Sequence, residues 1–204
     1  MRRNPEPVST NRLEAFSDGV IAVAITLLVL NLAVPQPGRT QLSHALATKW
    51  PSYAAYVVSF ATIGIIWVNH HAMVSRLREA DHVILILNLL LLMTIGVLPF
   101  ATSLMAAYLK QSSGESLAAA IYAGAFLLMS IAFATMNRHI LLTKAHLLAP
   151  ELSESRRRQI LARSLTGLVP YVIATPLALV SPYVTLAICG AVAVFYALPL
   201  ASGG

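Results

Sequence analysis

Charge is scarce in this chain. Of its 204 residues 11% are Asp, Glu, Lys or Arg and 57% are apolar, whereas a globular surface facing water needs about 25% charge. Such a chain puts much of its surface against lipid, which sets aside most soluble enzymes. Cysteine occurs once, as Cys189, so no disulfide can close within the chain and no cysteine metal site can be built from it. Cys189 lies in an apolar stretch and reads as a small buried hydrophobe. Acidic residues number eight, all in loops or at the ends of apolar runs, so the mid-membrane carboxylate relay of a proton-coupled pump is missing. There is no His-Glu-x-x-His zinc motif. Thr94-Ile95-Gly96-Val97 lacks the Tyr-Gly that would complete a carbonyl filter and sits inside a continuous apolar run. No internal repeat is visible, and no segment outside the apolar runs is large enough to hold a core.

What is present is a series of six apolar segments, each near the 20 residues that a membrane helix needs. The sequence predicts spans near 16–34, 50–74, 83–109, 117–136, 160–179 and 182–200, together an all-α membrane protein organised as a single six-helix transmembrane domain over 1–204. Pro35-Gln36-Pro37-Gly38, the charged turn around Arg76 to Asp81, and the polar loop Lys110 to Glu115 separate the first four. Pro170 and Pro176 predict a kinked fifth span.

Fourteen Lys and Arg give a net charge of +6, read here as loop charge near anionic lipid rather than as a nucleic-acid surface. With the N-terminus inside, eleven of these residues fall on the cytoplasmic side and only Arg39, Lys49 and Lys110 outside. Both termini are then cytoplasmic in a multi-pass protein of the cell inner (plasma) membrane, which requires an even number of spans. Arg2-Arg3 is not expected to begin a cleaved signal, because its apolar run starts late and leads into further spans. Arg156-Arg157-Arg158 reads as cytoplasmic charge close to anionic lipid.

Polar residues inside apolar runs are the first candidates for function, because lipid offers them no hydrogen bonds. One cluster is Arg12-Leu13-Glu14-Ala15-Phe16-Ser17-Asp18 at the start of the first span. Glu14 and Asp18 share a face there, and Arg12 lies on another side from Asp18. A second is Trp67-Val68-Asn69-His70-His71. Adjacent histidines on a helix diverge by about 100°, so they do not easily converge on one metal, and the residues leave open a structural, a pH-responsive or, least favoured, a metal-binding role. The third is Asn88. Asp18, Asn69 or His70, and Asn88 are expected to meet in one interhelical network, and packing glue is its plainest use. In the first span Val23, Leu27 and Leu30 form one stripe with Thr26 beside it, a pattern that ordinary helix packing produces equally well.

Arg12-x-x-x-Phe16-Ser17-Asp18, followed by Gly-Val-x-Ala-x-Ala-Ile-Thr-Leu-Leu-Val-Leu, resembles the first helix of the transmembrane protein 175 family, lysosomal potassium channels and their prokaryotic relatives. Trp67-x-x-His70-His71 and Leu98-Pro99-Phe100 are similar to that family too. The resemblance implies a homotetramer in which helix 1 of each subunit lines a central pore, narrowed by aliphatic side chains rather than by a carbonyl filter. Carried onto this chain, the pore layers are Val23, Leu27 and Leu30, with Thr26 as a polar ring. The gating or structural network is Arg12, Phe16, Ser17, Asp18, His70, His71 and Asn88. Val23 stands where the family usually has Ile or Leu, which implies a wider ring. The implied activity is passive conduction of monovalent cations, chiefly potassium, with moderate preference over sodium. No enzyme activity, catalytic residue, metal or cofactor is implied; potassium is the permeant ion. The alternative is a secondary transporter with a midplane substrate or ion site.

Overall fold

In the computed structural model of the chain, residues 10–38, 41–148 and 152–197 are described; Arg2, Arg3, Arg39 and the last three residues of the sixth expected span lie outside them. The described residues are helical throughout, apart from connecting turns and one isolated bridge between Leu77 and Leu148. In chain order the helices are α1 (Thr10–Leu27), α2 (Leu42–Thr48), α3 (Trp50–Val74), α4 (His82–Tyr108), α5 (Glu115–Arg138), α6 (Glu154–Thr166), α7 (Val169–Leu177) and α8 (Pro182–Ala197). Among the described residues five segments are long and apolar enough to cross a bilayer: Thr10–Asn31, Trp50–Val74, His82–Tyr108, Glu115–Thr143 and Glu154–Leu177, with α8 as a shorter apolar helix. This is an all-α membrane protein.

Local chemistry explains most of the breaks. Asp81 begins α4 as its N-cap, accepting from the Ile84 N–H at 2.9 Å. Its other oxygen pairs with Lys144 at 2.9 Å, which ties the α3–α4 turn to the segment after α5. Burial raises the Asp81 pKa, but the Ile84 N–H and then Lys144 outweigh it and hold the carboxyl below its ordinary value. Gly114, in the left-handed region at φ 84°, turns the chain into α5. At its far end α5 widens into a π turn, His139–Thr143. The fifth segment breaks between α6 and α7 at Gly167–Leu168. Pro170 sits in the first turn of α7, where its missing N–H costs nothing, and Pro176 lies one residue before the end of α7, so both prolines follow the break rather than form it.

α4 packs along α5 and α3, α1 lies against α4 and α3, and α7 with α8 closes the bundle against α5 and α3. The centre is apolar and aromatic: the Tyr122 and Phe126 rings meet edge to face at 4.8 Å. Its buried hydroxyls satisfy one another, with Ser59 Oγ 2.8 Å from Thr102 Oγ1 and 3.0 Å from Tyr122 Oη. At the end of the bundle away from Arg76 and Asp81, Lys49 Nζ donates to the Ala33 carbonyl at 2.7 Å and Lys110 Nζ to the Thr48 carbonyl at 3.3 Å. Lys110 thereby takes up a carbonyl left free where α2 stops.

Candidate functional site

The two faces of α1 lie in opposite surroundings. Leu13, Ser17, Ile21, Ala24 and Leu28 are buried against the rest of the chain. On the other side Phe16 is 54% exposed, Val23 57%, Leu27 43% and Leu30 73%, and Thr26 is exposed between them. All four stripe residues therefore point away from the body of the subunit. Thr26 donates its hydroxyl proton to the Val23 carbonyl at 2.8 Å, which leaves its oxygen lone pairs as acceptors on the exposed face. After Leu27 the helix tightens into a 3-10 turn, Leu28–Asn31. At about three residues per turn this brings Leu30 directly over Leu27, where a continuing α-helix would swing it about 60° aside. Beyond it, the Asn31 side chain is hydrogen-bonded to the Ser103 hydroxyl of α4, which also reaches the Pro99 carbonyl at 2.9 Å.

α1 begins at Thr10, six residues ahead of the expected span, and the added turns carry its anchoring groups. Ser17, His70 and Asn88 are fully or almost fully buried. His70 Nε2 lies 2.8 Å from Asn88 Oδ1, Asn88 Nδ2 donates to Ser17 Oγ at 3.0 Å, and Ser17 Oγ donates to the Leu13 carbonyl at 2.8 Å. Using each proton once orders the chain as His70 to Asn88 to Ser17 to Leu13. It makes Nε2 a donor, with Nδ1 buried and without a partner among the described residues. Asn88 is the hub that joins α1, α3 and α4.

A second set of contacts lies toward the surface. The Trp67 indole N–H donates to Asp18 Oδ1 at 2.8 Å, and His71 Nδ1 lies 2.5 Å from Glu14 Oε1. The Trp67 and His71 rings face each other at 6.2 Å. Glu14 and Asp18 are four apart on α1, as are Trp67 and His71 on α3. Two helices running in opposite directions match those spacings as two rungs of a ladder.

The single network expected from sequence is thus two. Asp18 does not reach Asn69, His70 or Asn88, because it faces the side of α3 that carries Trp67. Asn69 turns back to the Ile65 carbonyl of its own helix at 2.8 Å. Neither histidine pairs with Asp18 or Arg12. Arg12 is exposed and has no side-chain partner among the described residues, and Phe16 is likewise exposed outside both networks. Glu14 and Trp67 are not among the residues that the sequence singles out for the network; the matching four-residue spacings of Glu14 to Asp18 and of Trp67 to His71 are the signal that points to them. Among the described residues no group of three or more His, Cys, Asp or Glu could hold a metal ion.

Comparison with known proteins identifies relatives of the chain. Residues 12–99 match the family model of the endosomal/lysosomal potassium channel TMEM175. A potassium channel of Streptomyces collinus is 43% identical over 92% of this chain and 91% of its own length. The human endosomal/lysosomal proton channel TMEM175 is 34% identical over 81% of this chain, which spans about a third (34%) of that longer protein. Among solved structures, the lysosomal potassium-selective channel TMEM175 homolog from Chamaesiphon minutus superposes with a TM-score of 0.83 at 36% identity, covering 95% of this chain and 98% of that one.

Proposed function

Within the TMEM175 family, to which this chain belongs, we propose that it is a passive, potassium-permeable channel built from four copies, with the exposed face of each α1 turned to a shared central pore. The observation that carries this reading is the exposure of Val23, Thr26, Leu27 and Leu30 together on one side of α1. A helix face left bare by its own subunit is covered by lipid or by further copies, and family membership favours further copies. A single helix cannot enclose an aqueous path, whereas cyclic symmetry supplies identical walls. The six apolar segments act as one transmembrane unit in the plasma membrane, with both termini cytoplasmic as the distribution of Lys and Arg favours.

Conduction follows from the side chains of that face. Rings of Leu27 and Leu30, stacked by the 3-10 turn, make a narrow apolar neck that excludes water until it widens. Potassium gives up hydration water more readily than sodium, so a neck that strips part of the shell favours potassium. The outward lone pairs of Thr26 offer partial compensation, and Val23 leaves the neighbouring ring wide, which limits the preference to a moderate one. The two interhelical networks fix the cytoplasmic end of α1, so that any tilt of the pore wall must work against them.

Potassium efflux from proteoliposomes tests this reading. With potassium inside, an impermeant cation outside and no gradient of any other permeant ion, the protein is expected to release potassium and charge the vesicle interior negative. Efflux that starts only when a second ion or substrate gradient is imposed would point to coupled transport and contradict the channel.

A further inference from the structure

A cavity of about 610 Å³ lies between α3, α5, α6 and α8, with no residue of α1 in its lining. Along α3 its lining runs from Thr62 to Arg76, about 21 Å at the helical rise, so it is a trough rather than a ball. Its lining combines two chemistries. Three arginines line it, Arg76 just past the end of α3 and Arg156 and Arg163 on α6, with Arg156 close enough to Arg76 for their charges to interact. Along α3, α5 and α8 the walls are mainly apolar, with Ile66, Phe133 and Val192, interrupted by Thr62, Asn69 and Ser130. Val68, on its rim, is 57% exposed, which joins the trough to the side of the protein that meets lipid.

The charge of the arginines is uncompensated by the protein. Among the described residues no carboxylate lines the cavity, and none pairs with these three arginines. The run Arg156-Arg157-Arg158 is divided by the turn of α6. Arg157 Nη1 donates to the Leu141 carbonyl at 3.3 Å and Arg158 pairs with Glu154 at 2.5 Å, while Arg156 faces the trough. Arg163, seven residues on, lies on the same face of α6. Burial and the nearby charge of Arg156 both lower the Arg76 pKa. Two further groups call for an occupant. Asn137 is 3% exposed, lines the cavity and has no side-chain partner among the described residues. Ser164 Oγ, also in the lining, is buried without a hydrogen bond.

We propose that this trough is a binding site for an anionic phospholipid, with its phosphate held by Arg76, Arg156 and Arg163, its polar linkage near Asn137 and Ser164, and an acyl chain laid along the apolar walls. The occupant has to be anionic at one end and apolar along its length, and it has to enter from the bilayer. A free phosphate or nucleotide would satisfy the arginines and leave the apolar trough unfilled. The site is independent of the pore and stands even if the chain conducts no ion.

The test is lipid retention by the purified full-length protein, read by native mass spectrometry after exposure to equal amounts of phosphatidylglycerol and phosphatidylcholine. The unaltered protein is expected to keep phosphatidylglycerol preferentially, with millimolar inorganic phosphate failing to displace it. Arg76→Gln and Arg163→Gln, each retaining most of its stem, are expected to cut the preference about fivefold apiece, and Arg158→Gln to leave it unchanged. Equal retention of both lipids, a preference that Arg158→Gln reduces as much as Arg163→Gln, or displacement by inorganic phosphate would each overturn the proposal. If one arginine variant elutes abnormally on size exclusion, the other, properly folded, decides the result.

Discussion

Leu27→Asn is expected to raise potassium flux through reconstituted protein at least about tenfold, equivalent to about 1.4 kcal/mol off the barrier. Leu27 is 43% exposed on α1, with Leu30 above it and Val23 one turn below. In a fourfold assembly its side chains form a ring, and an apolar ring keeps the neck dry. Four amides in its place hydrogen-bond to water and to a partly dehydrated cation, so the neck wets and the ion meets a lower barrier. Discrimination between potassium and sodium falls in the same variant, because a wetter neck strips less of the hydration shell. The neighbouring Leu28→Asn has the opposite outcome. Leu28 is fully buried inside the subunit, so its amide lacks partners and costs about 1–3 kcal/mol of stability, with no gain in flux per folded channel. Flux measured per reconstituted protein separates the two, and equal behaviour of both variants would remove α1 from the pathway.

Asn88→Leu is expected to destabilise the protein by about 1–3 kcal/mol, measured by denaturation in micelles. Leucine fills nearly the same volume, so the loss comes from hydrogen bonding. His70 Nε2–H loses its acceptor inside the protein, while Ser17 retains the Leu13 carbonyl. Pairing Asn88→Leu with His70→Phe should recover part of the loss, because replacing both partners by apolar groups leaves no orphaned donor. A double variant no more stable than Asn88→Leu alone would show that Asn88 acts by shape rather than as the hub. In the single variant α1 also loses its tie to α3 and α4, and potassium flux should become more variable between preparations as the pore wall loosens.

The helices were legible because their breaks are chemical. Pro35 to Gly38, the Asp81 cap and the Gly114 turn can each be read as stops from residue type alone. The start of α1 was harder. Asn11, Arg12 and Glu14 are polar and read as lying outside a span, yet Glu14 and Asp18 have partners four residues apart on α3 that extend the helix to Thr10. The break at Gly167–Leu168 was masked by the two prolines beside it. The direction of α1 was not legible at all. In water a helix buries its apolar face, but Leu13, Ile21 and Leu28 are buried while Val23, Leu27 and Leu30 are exposed. Lipid and pore necks accept the same aliphatic side chains as a core does, so hydrophobic period carries no sign in a membrane. The resemblance to a family, rather than periodicity, singled out the stripe. The polar groups of the networks were likewise visible as expensive residues in lipid, but their partners depended on which side of α3 each one faced.

Cysteine accessibility along α1 tests the central claim most directly. The one native thiol, Cys189, is buried and can be replaced by alanine to give a silent background. Val23→Cys, Leu27→Cys and Leu30→Cys are then introduced singly, with Ala24→Cys and Leu28→Cys as controls on the buried face. Potassium currents in planar bilayers are recorded before and after a charged, membrane-impermeant thiol reagent. A pore lined by the exposed face of α1 predicts block at Leu27→Cys and at one or both of its stripe neighbours, with currents through both control variants unchanged. Potassium currents that persist unaltered in all three stripe variants, or block that appears at Leu28→Cys instead, would place the conduction path elsewhere in the bundle and contradict the account.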